Sequence, residues 1–113
     1  MRDDRERLND IVEAIAQIEK YASRGEKVFK RNELVQNWVL RHLQIIGEAS
    51  WALSDDLRKQ YPAVPWSDII GMRNILVHDY FGIDLKIVWS VVENDLPDLK
   101  RQVKTMLREK KAK

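Results

Sequence analysis

Three side chains with chemically active groups lie within one eight-residue stretch of the sequence. Arg73 carries a guanidinium that is always charged, His78 an imidazole that titrates near neutral pH, and Tyr80 a phenol. A guanidinium can stabilise charge on a phosphoryl group, and an imidazole can take up or release a proton. A predicted helix ends in this stretch, just before Gly82, and such a position can be open to a ligand. These residues are therefore the candidate chemical group of the chain.

The spacing of these residues does not bring them together on one straight helix. At about 100° per residue, Arg73 and Tyr80 share a face, whereas His78 lies about 140° from Arg73. Either the helix ends before His78 and the chain turns it back, or the same segment of a second subunit completes the site across a two-fold axis. A structural role is also open, because a histidine at a helix C-terminus complements the helix dipole and Arg73 can form a surface ion pair with Asp79.

The second histidine and the absence of cysteine bear on metal chemistry. His42 falls on the apolar stripe of a predicted helix, which is typical of a core or interface histidine with a satisfied ring nitrogen, so we assign it no catalytic role. The chain has no cysteine, and neither histidine has a second histidine at a metal-ligand spacing. A metal site would need carboxylates alone, and their spacing suggests none. We therefore expect chemistry without a metal or cofactor.

The composition is that of one folded, charge-rich domain. The chain has 113 residues, of which 44% are hydrophobic and 34% charged, a size that fits one domain and excludes Rossmann and TIM-type enzymes. No apolar run approaches the roughly 18 residues of a membrane span, and the first ten residues lack the apolar core of a signal peptide. We expect a soluble, cytoplasmic protein.

Positive charge is concentrated in two stretches, although the net charge is only +2. Residues 20–41 carry six bases and two acids, and residues 100–113 carry seven bases and one acid. Both stretches could approach a phosphate backbone. The second is predicted to be a helix end with a basic tail from about residue 108. Bases there also complement the helix dipole, so nucleic-acid contact and a structural role are both open for it.

Apolar residues spaced three and four apart predict helices in the first half of the chain. The first stripe starts at Leu8 and ends near Gly25, and the second runs from Leu34 to Leu53 with Gly47 inside it. A glycine within a helix costs about 1 kcal/mol relative to alanine, which suggests a close backbone crossing at Gly47.

The middle of the chain predicts a short helical turn, a connector and a third long helix. Ser54 is expected to cap the turn, which runs through Arg58. Two prolines stiffen the connector over residues 61–66, which should be extended. The apolar positions that follow predict a helix over residues 66–78.

The remaining residues predict one more helical region and complete the fold class. Asp84 is a plausible N-cap for a last helix, in which Pro97 marks either a kink or a new start near Asp95. No stretch shows the alternation of a strand. We therefore predict an all-α fold, a four- to five-helix up-and-down bundle formed by residues 1–113 as one domain.

Five segments between about residues 35 and 100 form an ordered set of motifs, which are RHLQIIGEA at 41–49, YPAVPW at 61–66, GMRNILVHDYF at 71–81, VW at 88–89 and DLP at 95–97. In this order they closely resemble the HepT-like branch of the HEPN domains. The resemblance implies an α-helical bundle that forms a two-fold homodimer.

The resemblance also implies roles for the chemical group. Arg73 and His78 match the Arg-x4-His signature of HEPN ribonucleases, and Asn74 matches the polar residue that usually follows the arginine. Tyr80 matches the tyrosine to which a partner antitoxin, an MNT-type minimal nucleotidyltransferase, transfers AMP. The family thus implies the toxin of a HEPN/MNT toxin–antitoxin module, which cleaves an RNA substrate and is silenced by adenylylation of Tyr80.

Two other classes of function are open at this point. HEPN domains also act as non-catalytic partner subunits of nucleotidyltransferases, in which Arg73 would only help to bind a nucleotide or substrate. A helical dimerisation module, in turn, would bind neither nucleic acid nor nucleotide. Cleavage assays separate the ribonuclease from both alternatives.

Overall fold

Helices account for nearly all of the chain that the structure, a computed structural model, describes. It covers residues 3–79 and 82–112, the last two by their backbone alone. No strand occurs in these residues, which confirms the all-α prediction, and none of their helices is long and apolar enough to cross a membrane. The elements are α1 (Asp4–Ala22), α2 (Glu26–Arg31), α3 (Glu33–Ala52), α4 (Asp55–Gln60), α5 (Trp66–His78), α6 (Leu85–Ser90), a π-helical segment (Val91–Asp95) and α7 (Leu96–Ala112).

Helix α3 is the centre of the bundle, because α1 and α5 both pack against it. Two hydrogen bonds fix α1 and α3 as antiparallel neighbours. The Trp38 indole N–H donates to the Gln17 carbonyl oxygen at 2.8 Å, and the Ser54 backbone N–H donates to the Asp4 carboxylate at 2.8 Å. The start of α3 therefore lies beside the end of α1, and the end of α3 lies beside the start of α1.

The core contains the apolar stripes that the sequence indicates on α1, α3 and α7. Burial of these side chains is the main source of stability, since each large aliphatic group removed from water contributes about 1.5–3 kcal/mol. The fully buried apolar residues on these helices are Leu8, Ile11, Ile15, Ile18, Val39, Val103 and Met106.

Helix α2 is an element that the sequence analysis did not predict. The first helix ends at Ala22, and Gly25 then adopts a positive φ of 96°, which reverses the chain into α2. The six residues of α2 are too few to show a helical period, and Phe29 is the one that is buried in the core. The Phe29 ring lies 5.4 Å from that of Trp89, so α2 is fixed by a distant partner in the sequence.

In the segment between α3 and α5, the predicted N-cap is confirmed, whereas the connector differs from the prediction. The Ser54 hydroxyl accepts a hydrogen bond from the Leu57 N–H at 3.2 Å, which confirms it as the N-cap of α4. The connector over residues 61–66 forms a turn instead of the expected extended segment, with the Val64 N–H donating to the Tyr61 carbonyl oxygen. Val64 is buried by this turn, and its burial explains why the chain folds back.

The last helical region contains a π-helical segment at the predicted break. The Asp84 side chain caps α6 as expected, and α7 begins at Leu96, as in the predicted new start near Asp95. Pro97 has no N–H and cannot bond the carbonyl four residues before it. The Leu96 N–H bonds to Val91 O, five residues back, so the extra residue of the π turn lets the helical path continue into α7.

Candidate active site at the end of helix α5

Arg73 lies where α3 and α5 cross, and the crossing depends on Gly47. A Cβ atom at position 47 would overlap the Cβ of Arg73 and would lie 3.3 Å from its Cα. Only the missing side chain of glycine lets the two backbones approach so closely. The close crossing expected at Gly47 is confirmed, and the residue that it meets is the arginine of the candidate site.

The guanidinium of Arg73 is partly engaged and partly free. Its Nη1 donates a hydrogen bond to the Asn74 side-chain oxygen at 3.0 Å, which orients the planar group. Its Nε is buried, with no hydrogen-bond partner among the described residues. A buried donor without an acceptor costs about 1–3 kcal/mol, so an incoming acceptor such as a phosphate oxygen would be favoured here.

His78 is the last residue of α5 and is exposed to solvent. The Asp79 backbone N–H donates to the Ile75 carbonyl oxygen at 2.8 Å, and this bond closes the helix after His78. The helix therefore does not end before His78, so the first of the two geometries considered from the sequence is wrong. Arg73 and His78 lie about 140° apart around the same helix, and one chain does not bring them face to face.

The surface ion pair considered between Arg73 and Asp79 does not form. Within the described residues the Arg73 guanidinium hydrogen-bonds to Asn74, whereas the Asp79 carboxylate is turned towards Gly82. A Cβ on Gly82 would lie 2.5 Å from the nearest oxygen of that carboxylate, Asp79 Oδ2. Among the residues that the structure describes, no carboxylate pairs with Arg73, so its charge is available for an anion.

Two exposed aliphatic side chains lie between Arg73 and His78. Ile75 is 48% exposed and Val77 40% exposed, whereas Leu76 between them is buried in the core. Single exposed aliphatic side chains of this kind are common on protein surfaces. A molecule that packs on either of them also approaches the candidate site.

The remaining predicted residues have simpler settings. His42 is half-buried, and its Nδ1 lies 2.7 Å from the Trp38 carbonyl oxygen, so it has the satisfied ring nitrogen that the sequence indicates. No group of three or more His, Asp or Glu side chains in the described part of the chain could hold a metal ion. Tyr80 lies outside the described residues.

The sequence indicated Gly47 and Arg73 separately and missed the contact that joins them. The two residues are 26 positions apart, and helical periodicity reports only on neighbours within one helix. The one available signal was the glycine in the interior of an otherwise strong helix, which required a close neighbour without naming it.

Comparison with known proteins identifies the family. Residues 11–106 match the model of the family described as "Ribonuclease HepT-like", so the chain belongs to the HepT-like family. This confirms the resemblance found in the sequence. No solved structure matches the chain.

Curated relatives cover most of the chain. It is 40% identical over 98 residues to "Putative RNase MJ1380" of Methanocaldococcus jannaschii, a match that covers 87% of this chain and 84% of the relative. It is 38% identical over 100 residues to "Probable ribonuclease HepT" of Thermococcus cleftensis, covering 88% of this chain and 91% of the relative. The relatives' names thus agree with the family description.

Replacing Gly47 with alanine should lower the free energy of unfolding by about 1–3 kcal/mol, because the added methyl group forces α3 and α5 apart at Arg73. The matched control is Gly71→Ala on α5, where an added Cβ would have no heavy atom within 4 Å. That change should be neutral or stabilise by up to about 1 kcal/mol. Urea unfolding of both variants measures the difference, and equal stabilities would contradict the close crossing.

Proposed function

We propose that this protein is a metal-independent endoribonuclease, the toxin component of a HEPN/MNT toxin–antitoxin module, with Arg73 and His78 as its catalytic residues. The observation that carries the proposal is membership of the HepT-like ribonuclease family over residues 11–106. The exposed position of His78 and the unpaired charge of Arg73 support it, because both groups can reach a bulky polyanion.

The chemistry that these groups provide is transfer of the phosphodiester to the RNA's own 2′-hydroxyl. The 2′-oxygen attacks phosphorus and the bond to the 5′-oxygen breaks, which gives a 2′,3′-cyclic phosphate and a 5′-hydroxyl. His78 takes the proton from the 2′-hydroxyl or gives one to the leaving 5′-oxygen. Arg73 stabilises the charge that builds on the phosphoryl oxygens. No step requires a metal ion.

A second copy of the chain completes the site in this proposal. Arg73 and His78 lie on different faces of α5, so a two-fold axis near this helix would bring Arg73 of one copy towards His78 of the other. The same packing would bury Ile75 and Val77, which are exposed in the single chain. Two histidines in one cleft would also supply both an acid and a base.

Asn74 acts as a positioning residue. Its side-chain oxygen accepts the hydrogen bond from Arg73 Nη1 and so holds the guanidinium plane. It donates no proton and carries no charge in the reaction, and its contribution comes through Arg73 alone. Its role therefore differs in kind from those of Arg73 and His78.

Cleavage of RNA should persist in EDTA and should be lost in both His78→Ala and Arg73→Ala. Removing His78 eliminates proton transfer, which typically contributes about 10²–10⁴-fold in rate. Arg73→Lys should also fail, because an ammonium does not reproduce the planar fork of a guanidinium at a phosphate. The products should carry cyclic phosphates by mass spectrometry. Dependence of cleavage on magnesium, or full activity of His78→Ala, would contradict this mechanism.

Mixing the two inactive variants tests whether the site is shared between copies. If Arg73 and His78 meet across a dimer, a mixed dimer of Arg73→Ala with His78→Ala holds one intact Arg73 and one intact His78 in the shared cleft. Cleavage then returns, more slowly than in the wild type because the second histidine is missing. A site within one chain gives no recovery of cleavage.

A wild-type protein that binds nucleotide but never cleaves RNA would favour the non-catalytic partner subunit instead.

Tyr80 is proposed as the residue that a cognate MNT-type nucleotidyltransferase adenylylates, which silences the ribonuclease. It follows His78 by two residues, just after the exposed end of α5. The phenol oxygen attacks the α-phosphorus of ATP and pyrophosphate leaves, so that the attached AMP adds negative charge and bulk beside the candidate site. Like phosphorylation, this charge would repel the RNA backbone.

Intact-mass measurement after co-expression with the nucleotidyltransferase should show an AMP increment on the wild type and none on Tyr80→Phe. The Tyr80→Phe protein should still cleave RNA and should no longer respond to the antitoxin, because the phenol is the acceptor and takes no part in cleavage. Persistence of the increment in Tyr80→Phe would move the modification to another residue.

A further inference from the structure

A cluster of aromatic rings joins α1 and α3 on a surface that the proposed reaction does not use. The Tyr21 and Trp38 rings meet edge to face, with centroids 5.2 Å apart. The Trp38 ring in turn lies 4.5 Å from that of His42. The Trp38 indole N–H is already bonded to Gln17, so its ring is held in place before any ligand arrives. These contacts make a rigid aromatic platform.

Two cations lie over the outer ring of this platform. The Arg24 guanidinium is 5.0 Å from the centroid of the Tyr21 ring, and the Lys20 ammonium is 5.8 Å from it. Among the described residues, no carboxylate forms a salt bridge with either cation. Both belong to the stretch 20–41, whose six bases and two acids give it a charge of +4. The platform therefore combines aromatic faces with uncompensated positive charge.

A cavity of about 290 Å³ opens beside the platform and has a free hydrogen-bonding group in its wall. The Asn32 side-chain oxygen caps α3 by accepting from the Val35 N–H, so its amide NH₂ stays available to a ligand. The Leu34 side chain, which is 80% exposed, forms an apolar wall of the cavity. The lining residues are Tyr21, Arg24, Asn32, Leu34, Val35 and Trp38.

We propose that this cavity binds an unstacked nucleobase of single-stranded RNA, with a neighbouring phosphate on Arg24 and Lys20. Bases of single strands stack on aromatic side chains and on the planes of arginines, while basic groups follow the backbone. An amide group such as that of Asn32 can donate to the edge of the base. The inference rests on the proposed function, because it assigns a second contact to the same class of substrate.

The cavity takes a different part of the RNA from the candidate active site. Trp38 and Gly47 are nine residues apart on α3, which places them about 180° apart around the helix and about 14 Å apart along it. Gly47 faces Arg73, whereas Trp38 faces α1. The cavity thus contributes to RNA affinity and to the choice of single strands, and it takes no part in the chemical step.

Binding of a fluorescent single-stranded 2′-O-methyl oligonucleotide tests the inference without cleavage, because its blocked 2′-oxygen does not react. Tyr21→Leu should weaken binding by about 5- to 150-fold, the range that loss of one stacked base produces. Arg24→Ala should weaken it by a similar factor, because it removes the guanidinium that holds the phosphate. Arg24→Lys should recover only part of the loss, since it keeps the charge and not the plane. Duplex RNA of the same sequence should bind more weakly than the single strand to the wild type.

Lys27→Ala is the matched control. Lys27 is an exposed, positively charged residue of the same stretch and has no ring contact among the described residues. Its loss of affinity should be clearly smaller than that of Arg24→Ala. Equal losses would mean that the stretch acts only through its total charge, and unchanged binding in Arg24→Ala and Tyr21→Leu would mean that the RNA does not use the cavity. Either result overturns the inference. The inference is also overturned if these residues are needed for binding of a protein partner and the oligonucleotide does not bind.

Photocrosslinking separates this inference from the proposed function. A bromouridine-containing oligonucleotide should crosslink to peptides that contain Tyr21 or Trp38. Crosslinks there from a protein that never cleaves RNA would support the cavity and refute the ribonuclease. Cleavage by wild type with crosslinks only elsewhere would refute the cavity and leave the ribonuclease standing.

Discussion

The contact between α3 and α5 at Gly47 is the constraint on which the candidate site depends. Because position 47 has no side chain, the backbone of Arg73 lies directly against α3, and this contact fixes the Cα and Cβ of the arginine. A side chain fixed in this way loses less conformational entropy when its guanidinium binds an anion. The rigid part of the site is therefore its arginine, whereas His78 lies at the exposed helix end.

The same geometry separates the two groups that the proposed chemistry needs together. The helix continues through His78, so Arg73 and His78 lie on different faces of α5. Within one chain the two residues therefore do not form a single site. Activity that depends on pairing of two copies would follow from this arrangement. Helix α3 contacts both regions, since its Gly47 packs against Arg73 of α5 and its Trp38 lines the aromatic cavity.

Much of the fold and the composition of the candidate site follow from the sequence alone. Periodic apolar stripes defined α1, α3 and α5, since a long amphipathic helix records its buried face in every turn. Local capping chemistry likewise identified Ser54 and Asp84, because a cap depends only on residues within one turn. The five segments between about residues 35 and 100, taken together in their order, indicated the family that the match over residues 11–106 confirms.

Only the tertiary structure decided the features that depend on residues far apart in the chain. Helix α2 has too few residues to show a period and is fixed by the packing of Phe29 near Trp89, and the connector turns because Val64 is buried. The contact of Gly47 with Arg73 and the edge-to-face contact of Tyr21 with Trp38 likewise join separate helices. A sequence specifies which face of a helix is apolar; which residue meets that face is settled by the packing of the whole bundle, because every helix must be placed before any long-range contact exists.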